Sequence, residues 1–370
     1  MKLNKTKLGS IIRHVSEKNS GAKITTVLGI SIEKEFMPSV ANIIGTDLSK
    51  YNVIRKGRFA FNPMHVGRDE RLPIALYKSD NPAIVSPAYF MFEIKNPTEV
   101  FEDYLLLVFQ TELFDHICWF HSDASVRGGL TWEDFDNIEI VLPLYKDQVE
   151  EVRRYKVCQE RISYLHNENS SLESLIDVLY KKYFSNEEKD EKLSTFLKPV
   201  LGGTPDTTED SYWNGDVAWI NSGQINDFRI TEPSKMITKE GLKHSAAKMM
   251  PNHTVVIAIT GVTLGQESIL LIPSSGNQSV IGIPETREYP YQYIHPFIKE
   301  SMRELLRNQT GGAQQHINKE DVKNIPIHSS SFEVINSFKE CTNPIYSRIE
   351  MNCFEIKKLK ELSHALIRVI

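Results

Sequence analysis

The sequence predicts an α+β protein made of two copies of one unit, in each of which a β-rich region precedes a long helix. The first observation behind this prediction is an internal repeat. Residues 130–140 recur at 317–327, and Glu133 corresponds to Glu320, an offset of 187 residues. The similarity continues without a gap for about fifty residues. Twice the offset nearly equals the 370-residue length, so the duplication accounts for the whole chain.

The second observation is a pair of long segments with the pattern of helices. Residues 148–184 contain neither Gly nor Pro, and both segments, of about 35 residues each, carry apolar side chains at seven-residue intervals. This spacing is typical of helices that pair along one apolar face. We therefore expect the two helices to form an antiparallel coiled coil. The alternative is that each is an amphipathic helix packed on its own globular region.

The order of elements follows from these two observations. Short β-type runs such as 83–85 and 255–259, separated by Gly, Pro and Asn, indicate mixed α/β domains before each helix. The polar run 185–192 is predicted to be a linker, and Pro344 is predicted to interrupt the second helix in its first turns. The predicted order is a domain, a helix, a second domain and a second helix, at residues 1–147, 148–186, 187–331 and 332–370.

Two asparagines predict the register of the coiled coil. The apolar face comprises Ile162, Leu165, Asn169, Leu172, Ile176 and Leu179 on the first helix and Ile345, Ile349, Asn352, Ile356, Leu359 and Leu366 on the second. If the numbers of facing residues sum to 521, Asn169 faces Asn352, whereas a slip of seven residues places each amide against an aliphatic side chain. A buried amide without a partner costs about 1–3 kcal/mol, so either slip loses roughly 2–6 kcal/mol. The asparagines therefore fix the register.

The composition excludes several classes of protein. With 41% hydrophobic and 25% charged residues, the chain has enough apolar material for folded cores and is not mainly disordered. The first residues lack the apolar region of a secretory signal, and the longest apolar run, 104–109, is too short to span a membrane. Four scattered cysteines favour reduced thiols in a cytoplasmic protein without a zinc site. The net charge of −5 requires any nucleic-acid surface to be a local basic patch.

No catalytic arrangement emerges from the sequence. Residues 86–89 approach the loop of amino-methyltransferases but have Ala where the second Pro belongs, which favours a strand edge. Residues 261–266 lack the Lys-Ser/Thr pair of a phosphate-binding loop, and Asp206 lacks the Glu-x-Lys that would complete a nuclease site. The histidines have no metal-ligand spacing. We therefore expect a binding protein without a metal site.

Basic residues form two candidate patches for phosphate contacts. One lies in the first unit, at Arg55, Lys56, Arg58, Arg68 and Arg71. The other steps at helical intervals in the second unit, at Lys235, Lys239, Lys243 and Lys248, and would line one face of a helix there; a solvated helix face is the alternative. Phosphate contacts give affinity without sequence information. The residue types that read bases are present nearby in loops, at Arg127, Thr260, Thr263 and Gln266.

Several motifs together resemble a known family. Residues 202–205, 212–220 and 237–242 resemble the opening of a target recognition domain, and 311–315 continue the match. In the first unit, three further segments resemble another variety of the same domain, at residues 28–31, 41–48 and 85–89. Such domains belong to the specificity (S) subunits of type I restriction-modification systems. The resemblance covers essentially the whole chain.

The resemblance implies both an architecture and a function. Specificity subunits alternate two target recognition domains with two long helices, whose antiparallel coiled coil sets the distance between the domains. Each domain reads one half of a bipartite, asymmetric target in double-stranded DNA. The subunit is not itself an enzyme and recruits two adenine-N6 methyltransferase subunits and the ATP-dependent restriction subunits, which translocate and cut DNA. No cofactor is expected on this chain, because S-adenosylmethionine, ATP and Mg²⁺ belong to the partners.

The second unit departs from the family pattern before its helix. The first unit has Pro143 and Gln148 there, whereas residues 327–332 contain neither Pro nor Gln, which puts the entry angle of the second helix in question. The aromatic segment 212–219 belongs to the frame that such domains share, and it is expected to support the fold or meet a shared partner. Three other functions stay open: a specificity subunit whose partner fuses methyltransferase and nuclease, a divergent DNA methyltransferase, and a coiled-coil scaffold.

Overall fold

The computed structural model describes residues 5–39, 45–64, 66–122, 129–308 and 317–369. They fall into two compact units. Unit 1 contains residues 1–161 and 359–370, and unit 2 contains residues 162–358. Each long helix therefore contributes one stretch to unit 1 and another to unit 2. The domain boundaries predicted from the sequence, at 147, 186 and 331, remain predictions.

Unit 1 is built on two four-stranded sheets and a phenylalanine-rich core. Its strands are β1 (Lys5–Lys7), β2 (Ile12–Val15), β3 (Val27–Ile30), β4 (Phe36–Pro38), β5 (Asn52–Ile54), β6 (Phe59–Phe61), β7 (Ile74–Leu76), β8 (Ala83–Val85), β9 (Phe90–Ile94) and β10 (Glu139–Val141). Its helices are α1 (Leu8–Ile11), α2 (Val66–Asp69), α3 (Glu102–Phe109), α4 (Glu112–Phe120), α5 (Trp132–Asn137) and the start of α6 (Tyr145–Phe184). The sheet orders are β2-β9-β6-β7 and β4-β3-β8-β5, the latter with a parallel β3–β8 pair. Phe59 and Phe92 face each other across β6 and β9 with ring centroids 5.0 Å apart, so cross-strand aromatic packing stabilises the first sheet.

Unit 2 contains a four-stranded and a three-stranded sheet. Its strands are β11 (Lys189–Lys192), β12 (Val200–Leu201), β13 (Trp213–Ile220), β14 (Lys235–Ile237), β15 (Val255–Ala258), β16 (Glu267–Ile269), β17 (Ser275–Gly276), β18 (Val280–Ile283) and β19 (Pro326–His328). Its helices are α7 (Leu193–Phe196), α8 (Lys239–Lys243), α9 (Tyr291–Asn308), α10 (Lys319–Lys323) and most of α11 (Phe332–Val369). The sheet orders are β12-β18-β15-β16 and β14-β13-β17, with a parallel β13–β17 pair. Val255 and Ile257 of β15 are fully buried in a core that also contains Phe297 of α9.

The duplication predicted from the sequence recurs in the structure. In unit 1, β1 pairs antiparallel with β10, and in unit 2, β11 pairs antiparallel with β19. A short helix precedes the second strand of each pair, and a long helix follows it. These long helices begin at Tyr145 and Phe332, which are 187 residues apart, the offset of the sequence repeat. The two halves of the chain therefore repeat one arrangement of elements.

Two local predictions were wrong. The run 185–192 is not linker throughout, because Lys189–Lys192 forms β11 and pairs with β19. Helix α11 is not interrupted at Pro344 and is continuous from Phe332 to Val369. Pro344 has no N–H to donate to the carbonyl one turn earlier in the helix. Because Pro344 is exposed, water can solvate this carbonyl instead.

The start of each long helix is held differently in the two repeats. Gln148 is fully buried in unit 1, where its Nε2 donates to the carbonyls of Glu99 and Pro143, both at 2.9 Å, and its Oε1 accepts from the N–H of Phe101 at 2.8 Å. The equivalent position in unit 2 is Ile335, which is buried in an apolar core. The missing glutamine of the second repeat is therefore replaced by apolar packing.

The asparagine pairing predicted between the long helices is confirmed. In unit 2, Asn352 Nδ2 donates to Asn169 Oδ1 at 2.8 Å, and both side chains are buried. Asn352 Nδ2 also donates to Glu168 Oε2 at 2.9 Å, and Glu168 forms an ion pair with Arg348 at 3.1 Å. In unit 1, Gln159 Nε2 donates to Ser363 Oγ at 3.3 Å. The long helices fit a coiled coil with polar pairs inside its apolar face.

Candidate nucleic-acid interface

The glycine and tryptophan residues of the recognised motif form a tightly packed frame in unit 2. A Cβ atom on Gly202 would lie 2.2 Å from the carbonyl oxygen of Asn277, so this position admits only glycine without a backbone shift. Trp219 is buried, and its Nε1 donates to the carbonyl of Gly203 at 3.1 Å. Trp213 packs edge-on against Trp219 with centroids 5.5 Å apart. These contacts agree with the expectation that the aromatic segment supports the fold.

The four lysines of unit 2 do not share a helix face, so that prediction was wrong. Lys235 lies in β14, Lys239 and Lys243 lie at the two ends of the short helix α8, and Lys248 lies in the loop that follows. Lys235 lies outside the helix because Thr238 is the N-cap of α8. Thr238 Oγ1 accepts from the N–H of Gly241 at 3.0 Å, so the helix begins at Lys239.

The same lysines are nevertheless accessible to a polyanion. Lys243 and Lys248 are exposed, and Lys239 is exposed beside Asp216, with 3.6 Å between Nζ and Oδ2. An exposed pair of this kind contributes little and can be replaced by a phosphate contact. Lys235 Nζ lies 5.2 Å from the centroid of the Trp213 ring, a cation–π distance. A cavity of about 590 Å³ adjoins it, lined by Thr207, Asp210, Trp213, Asn214, Gly215, Ser234, Lys235 and Met236.

The basic stretch of unit 1 is largely paired within the fold. Glu17 binds two arginines, with Oε1 2.6 Å from Arg55 Nη2 and Oε2 2.7 Å from Arg58 Nη1. The hydrogen bond from Arg55, helped by Arg58, lowers the pKa of Glu17 to about 2. Lys56 Nζ lies 2.8 Å from Asp80 Oδ1. Arg58 is therefore held within the fold, whereas Arg55 and Lys56 form exposed pairs that a phosphate contact could replace.

The remaining basic candidates of unit 1 are distributed around α2. Arg68 lies in this helix, and Arg71 is exposed just after it. Arg127 lies outside the described residues, as do residues 311–315 of the recognised motif. Lys34 was not predicted from the sequence: it is buried, and its Nζ lies 2.7 Å from Asp115 Oδ1. Burial lowers the pKa of Lys34 despite this partner, and the contact with Asp115 makes Lys34 part of the interior of unit 1.

The loop with the predicted base-reading residues presents a different side chain. A tight turn at Gly261–Thr263 buries Thr263, which is 5% exposed, and Thr260 Oγ1 donates to Ser279 Oγ at 2.7 Å. Gln266 is exposed, as predicted for a base-reading residue. The turn exposes Val262 completely instead of Thr263.

Unit 2 contains a buried ionic cluster that no sequence pattern predicted. Glu173 of α6 accepts from Arg229 Nη2 at 2.7 Å and from Lys299 Nζ at 3.0 Å, and His295 Nε2 lies 3.5 Å away. Burial raises the pKa of Glu173, but the charges of Arg229 and Lys299 outweigh it and hold the pKa well below its usual range. Burial lowers the pKa of His295 to about 3, so the imidazole is neutral at pH 7. This cluster ties α9 to α6 within unit 2.

Metal ligation and membrane insertion find no support in the part of the chain that the structure describes. Among the described residues, no three His, Cys, Asp or Glu side chains are grouped as a metal site would require. Within the same ranges, no helix combines the length and the hydropathy needed to cross a bilayer.

Comparisons with known proteins relate the chain to one family. Residues 193–329 match the type I restriction modification DNA specificity domain. The chain is 25% identical over 157 residues to the EcoR124I/EcoR124II specificity subunit of Escherichia coli, covering 39% of each protein. It is 25% identical over 116 residues to the MjaIX specificity subunit of Methanocaldococcus jannaschii, covering 30% of this chain and 27% of that protein. The aligned regions thus span less than half of these relatives.

The fold supports the same relationship over a greater length. The crystal structure of the type I restriction-modification S subunit from M. genitalium matches with a TM-score of 0.56 and 11% identity, covering 99% of this chain and 96% of that one. At this identity the match shows a shared fold. The resemblance to the specificity subunits of type I restriction-modification systems is therefore confirmed, and the chain is related to that family through its DNA specificity domain at residues 193–329.

Proposed function

We propose that this chain is the non-catalytic DNA-binding subunit of a type I restriction-modification system and that it reads a bipartite, asymmetric target. The observation that carries the proposal is the duplication: two mixed α/β regions, each closed by a two-stranded ladder, are each followed by a long helix. Each region reads one half of the target, and the antiparallel helices set the distance between the halves. Because the surfaces of the two regions differ, the two half-sites differ as well.

The long helices are proposed to bind the partner subunits. Large apolar side chains are exposed at three pairs of positions, each pair separated by the repeat offset of 187 residues: Tyr145 and Phe332, Tyr164 and Met351, and Leu175 and Leu362. Exposed apolar side chains that recur in this way favour protein contacts. Equivalent positions on two repeats fit two copies of one partner, which we propose are two adenine-N6 methyltransferase subunits.

The chemistry is proposed to lie entirely on partner subunits in the cytoplasm. S-adenosylmethionine belongs to the methyltransferases, and ATP and Mg²⁺ belong to the restriction subunits. A partner that fuses methyltransferase and nuclease is the second candidate arrangement, since the same DNA-reading chain would serve it equally well.

The proposal is tested by mapping N6-methyladenine across the genome of the source strain before and after deletion of this gene. We expect one bipartite motif to lose methylation on deletion and to regain it when the gene is restored. A restored copy with Gly202→Ala, which forces a backbone clash in the frame of the specificity domain, is expected not to restore methylation. Gly29→Ala serves as the control, because its Cβ would contact no atom closer than 4.0 Å.

A further inference from the structure

One apolar side chain of unit 2 is completely exposed at the tip of a turn. Val262 is completely exposed at the tip of the turn Gly261–Thr263, while Thr263 beside it is buried. Gly261 and Gly265 flank the tip with φ of 78° and 79°, values that favour glycine. The polar residue of the turn thus points inward and the β-branched apolar residue points to solvent.

The turn is held rigidly by its own backbone. Gly265 donates its N–H to the carbonyl of Ala258 at 2.8 Å, and Ala258 donates to the carbonyl of Gln266 at 3.0 Å. Gln266 donates to the carbonyl of Thr263 at 2.9 Å, which closes the loop above strand β15. A contact made by Val262 would therefore cost little additional ordering of the chain.

The surroundings of the turn suit a nucleic acid. Gly265 packs against α9, because a Cβ there would lie 2.4 Å from Leu306 Cδ1. Arg303 and Arg307 are exposed on the same helix, three residues before and one residue after Leu306. Gln266 is exposed in the turn itself. The helix that contacts the turn thus carries two exposed cations that can contact phosphates, and the turn itself carries an amide that can bond to base edges.

We propose that Val262 is a specificity-determining residue that contacts the 5-methyl group of a thymine in the half-site read by this domain. The inference rests on the proposed function. In the major groove, the thymine methyl is the apolar group that base edges present. Side chains that wedge between base pairs are longer, such as Phe, Leu or Met, so the short valine fits a methyl contact at the groove surface.

The inference is tested first in the intact system. The chromosomal gene is replaced by a Val262→Ala allele, and N6-methyladenine is mapped genome-wide. We expect one thymine position in one half-site to become relaxed while the other half-site is unchanged. Val262→Thr keeps one methyl group and is expected to keep the preference for thymine. Leu113→Ala is the control, because Leu113 is an apolar residue of helix α4 that is 68% exposed and lies outside the long helices and the basic patches.

The second arm measures binding of the full chain to a duplex that carries the mapped motif. Replacing the identified thymine by deoxyuridine removes only the methyl group. The wild-type chain is expected to lose roughly three- to tenfold in affinity, as burial of one methyl predicts. The Val262→Ala chain is expected to bind both duplexes equally.

The contrary outcomes separate a failure of the Val262 inference from a failure of the proposed function. An unchanged motif in the Val262→Ala strain, or equal wild-type affinity for thymine and deoxyuridine at every thymine of the half-site, overturns the inference and leaves the proposed function intact. Loss of all methylation with both Val262→Ala and Val262→Thr also overturns it, because a single methyl contact cannot have so large an effect. If deletion of the gene removes no methylation, the proposed function fails, and the inference fails with it.

Discussion

Charged side chains in this protein divide into those paired inside the fold and those that remain exposed. Arg58 is largely buried against Glu17, and Lys34 is buried against Asp115. Such cations stabilise their own unit and have little charge left for a ligand. The lysines around α8 are exposed instead, and their weak internal pairing leaves them available for phosphates.

Replacing Lys239 and Lys243 by Ala is expected to weaken DNA binding across all sequences. The slope of log affinity against log salt should become shallower by roughly one unit for each phosphate that the variant no longer neutralises. With a net charge of −5, the isolated chain is expected to bind weakly, so titrations should start at low salt. An unchanged slope would show that these lysines make no phosphate contacts and are only solvated.

His295 is expected to make unit 2 sensitive to mild acid. An unfolded histidine has a pKa of about 6.5, whereas burial lowers the pKa of His295 to about 3, so the unfolded state binds the additional proton. Above pH 6.5 the titration of His295 therefore does not reduce the free energy of unfolding. Below pH 6.5 this free energy falls with decreasing pH by up to about 1.4 kcal/mol per pH unit. Urea denaturation between pH 7 and pH 5 measures this loss before Glu173 begins to titrate.

A matched pair of variants isolates the contribution of His295. His295→Gln keeps a polar amide beside Tyr346, whose hydroxyl is hydrogen-bonded to Nδ1 at 3.0 Å, and should lose stability less steeply between pH 7 and pH 5. His244→Gln alters an exposed histidine and should behave like the wild type. A wild-type slope in the His295→Gln variant would show that another group carries the acid sensitivity.

The role of a residue could be predicted from the sequence where that residue and the one it contacts both lie in the heptad-repeat helices. Asn169 and Asn352 could be paired because the heptads of two helices leave only registers seven residues apart. The cluster around Glu173 could not, because Arg229 and Lys299 lie 56 and 126 positions away along the chain and meet it only through tertiary packing. The exposure of Val262 could not be predicted either, because a turn of three residues has no periodicity that indicates which side chain points outward.

At the scale of elements, the paired helices combine apolar packing with a buried polar contact. Asn169 and Asn352 meet inside the apolar face, where a register slip would leave both amides without partners. Polar pairs of this kind specify alignment at some cost in stability.

Single substitutions at this pair are expected to destabilise the helices. Asn169→Ala or Asn352→Ala should lower the free energy of unfolding by about 1–3 kcal/mol, because the remaining amide loses a buried partner. The double variant with Leu at both positions should recover that stability, since apolar residues can replace a buried polar pair. Asn167→Ala, at an exposed position two residues away, is the control for urea denaturation. Additive losses in a double-alanine variant would contradict a direct interaction between the two amides.

Long elements could be predicted well and short ones poorly. Helix α6 begins three residues before the predicted start and ends two residues before the predicted end. The prediction was close because a long stretch with neither Gly nor Pro contains no residue that would end a helix. The lysine spacing of unit 2 was a misleading signal, since intervals of four also occur by chance across a strand, a cap and a loop. Thr238 was the local signal that could have placed the helix start correctly.

At the scale of the whole molecule, duplication without identity predicts a target with two unlike halves. The motif methylated through this chain is expected to consist of two different half-sites separated by a constant number of base pairs. In the proposed function each mixed α/β region reads one half of the target, and since the two regions have diverged, the two halves should differ. Methylome sequencing supplies the measurement, and a single continuous palindrome would contradict the expectation.

The ladder between β11 and β19 has a consequence for how new specificities arise. Three paired positions, Lys189 with His328, Glu191 with Ile327 and Lys192 with Pro326, bring the entry and the exit of the specificity domain side by side. A recombination event with both junctions in this ladder would exchange the entire domain and leave the helices untouched. The incoming segment needs to match only a short backbone pairing, which depends little on side chains. Under the proposed function, half of the target would thus change in one genetic step, and partner methyltransferases bound to the helices would need no compensating substitution.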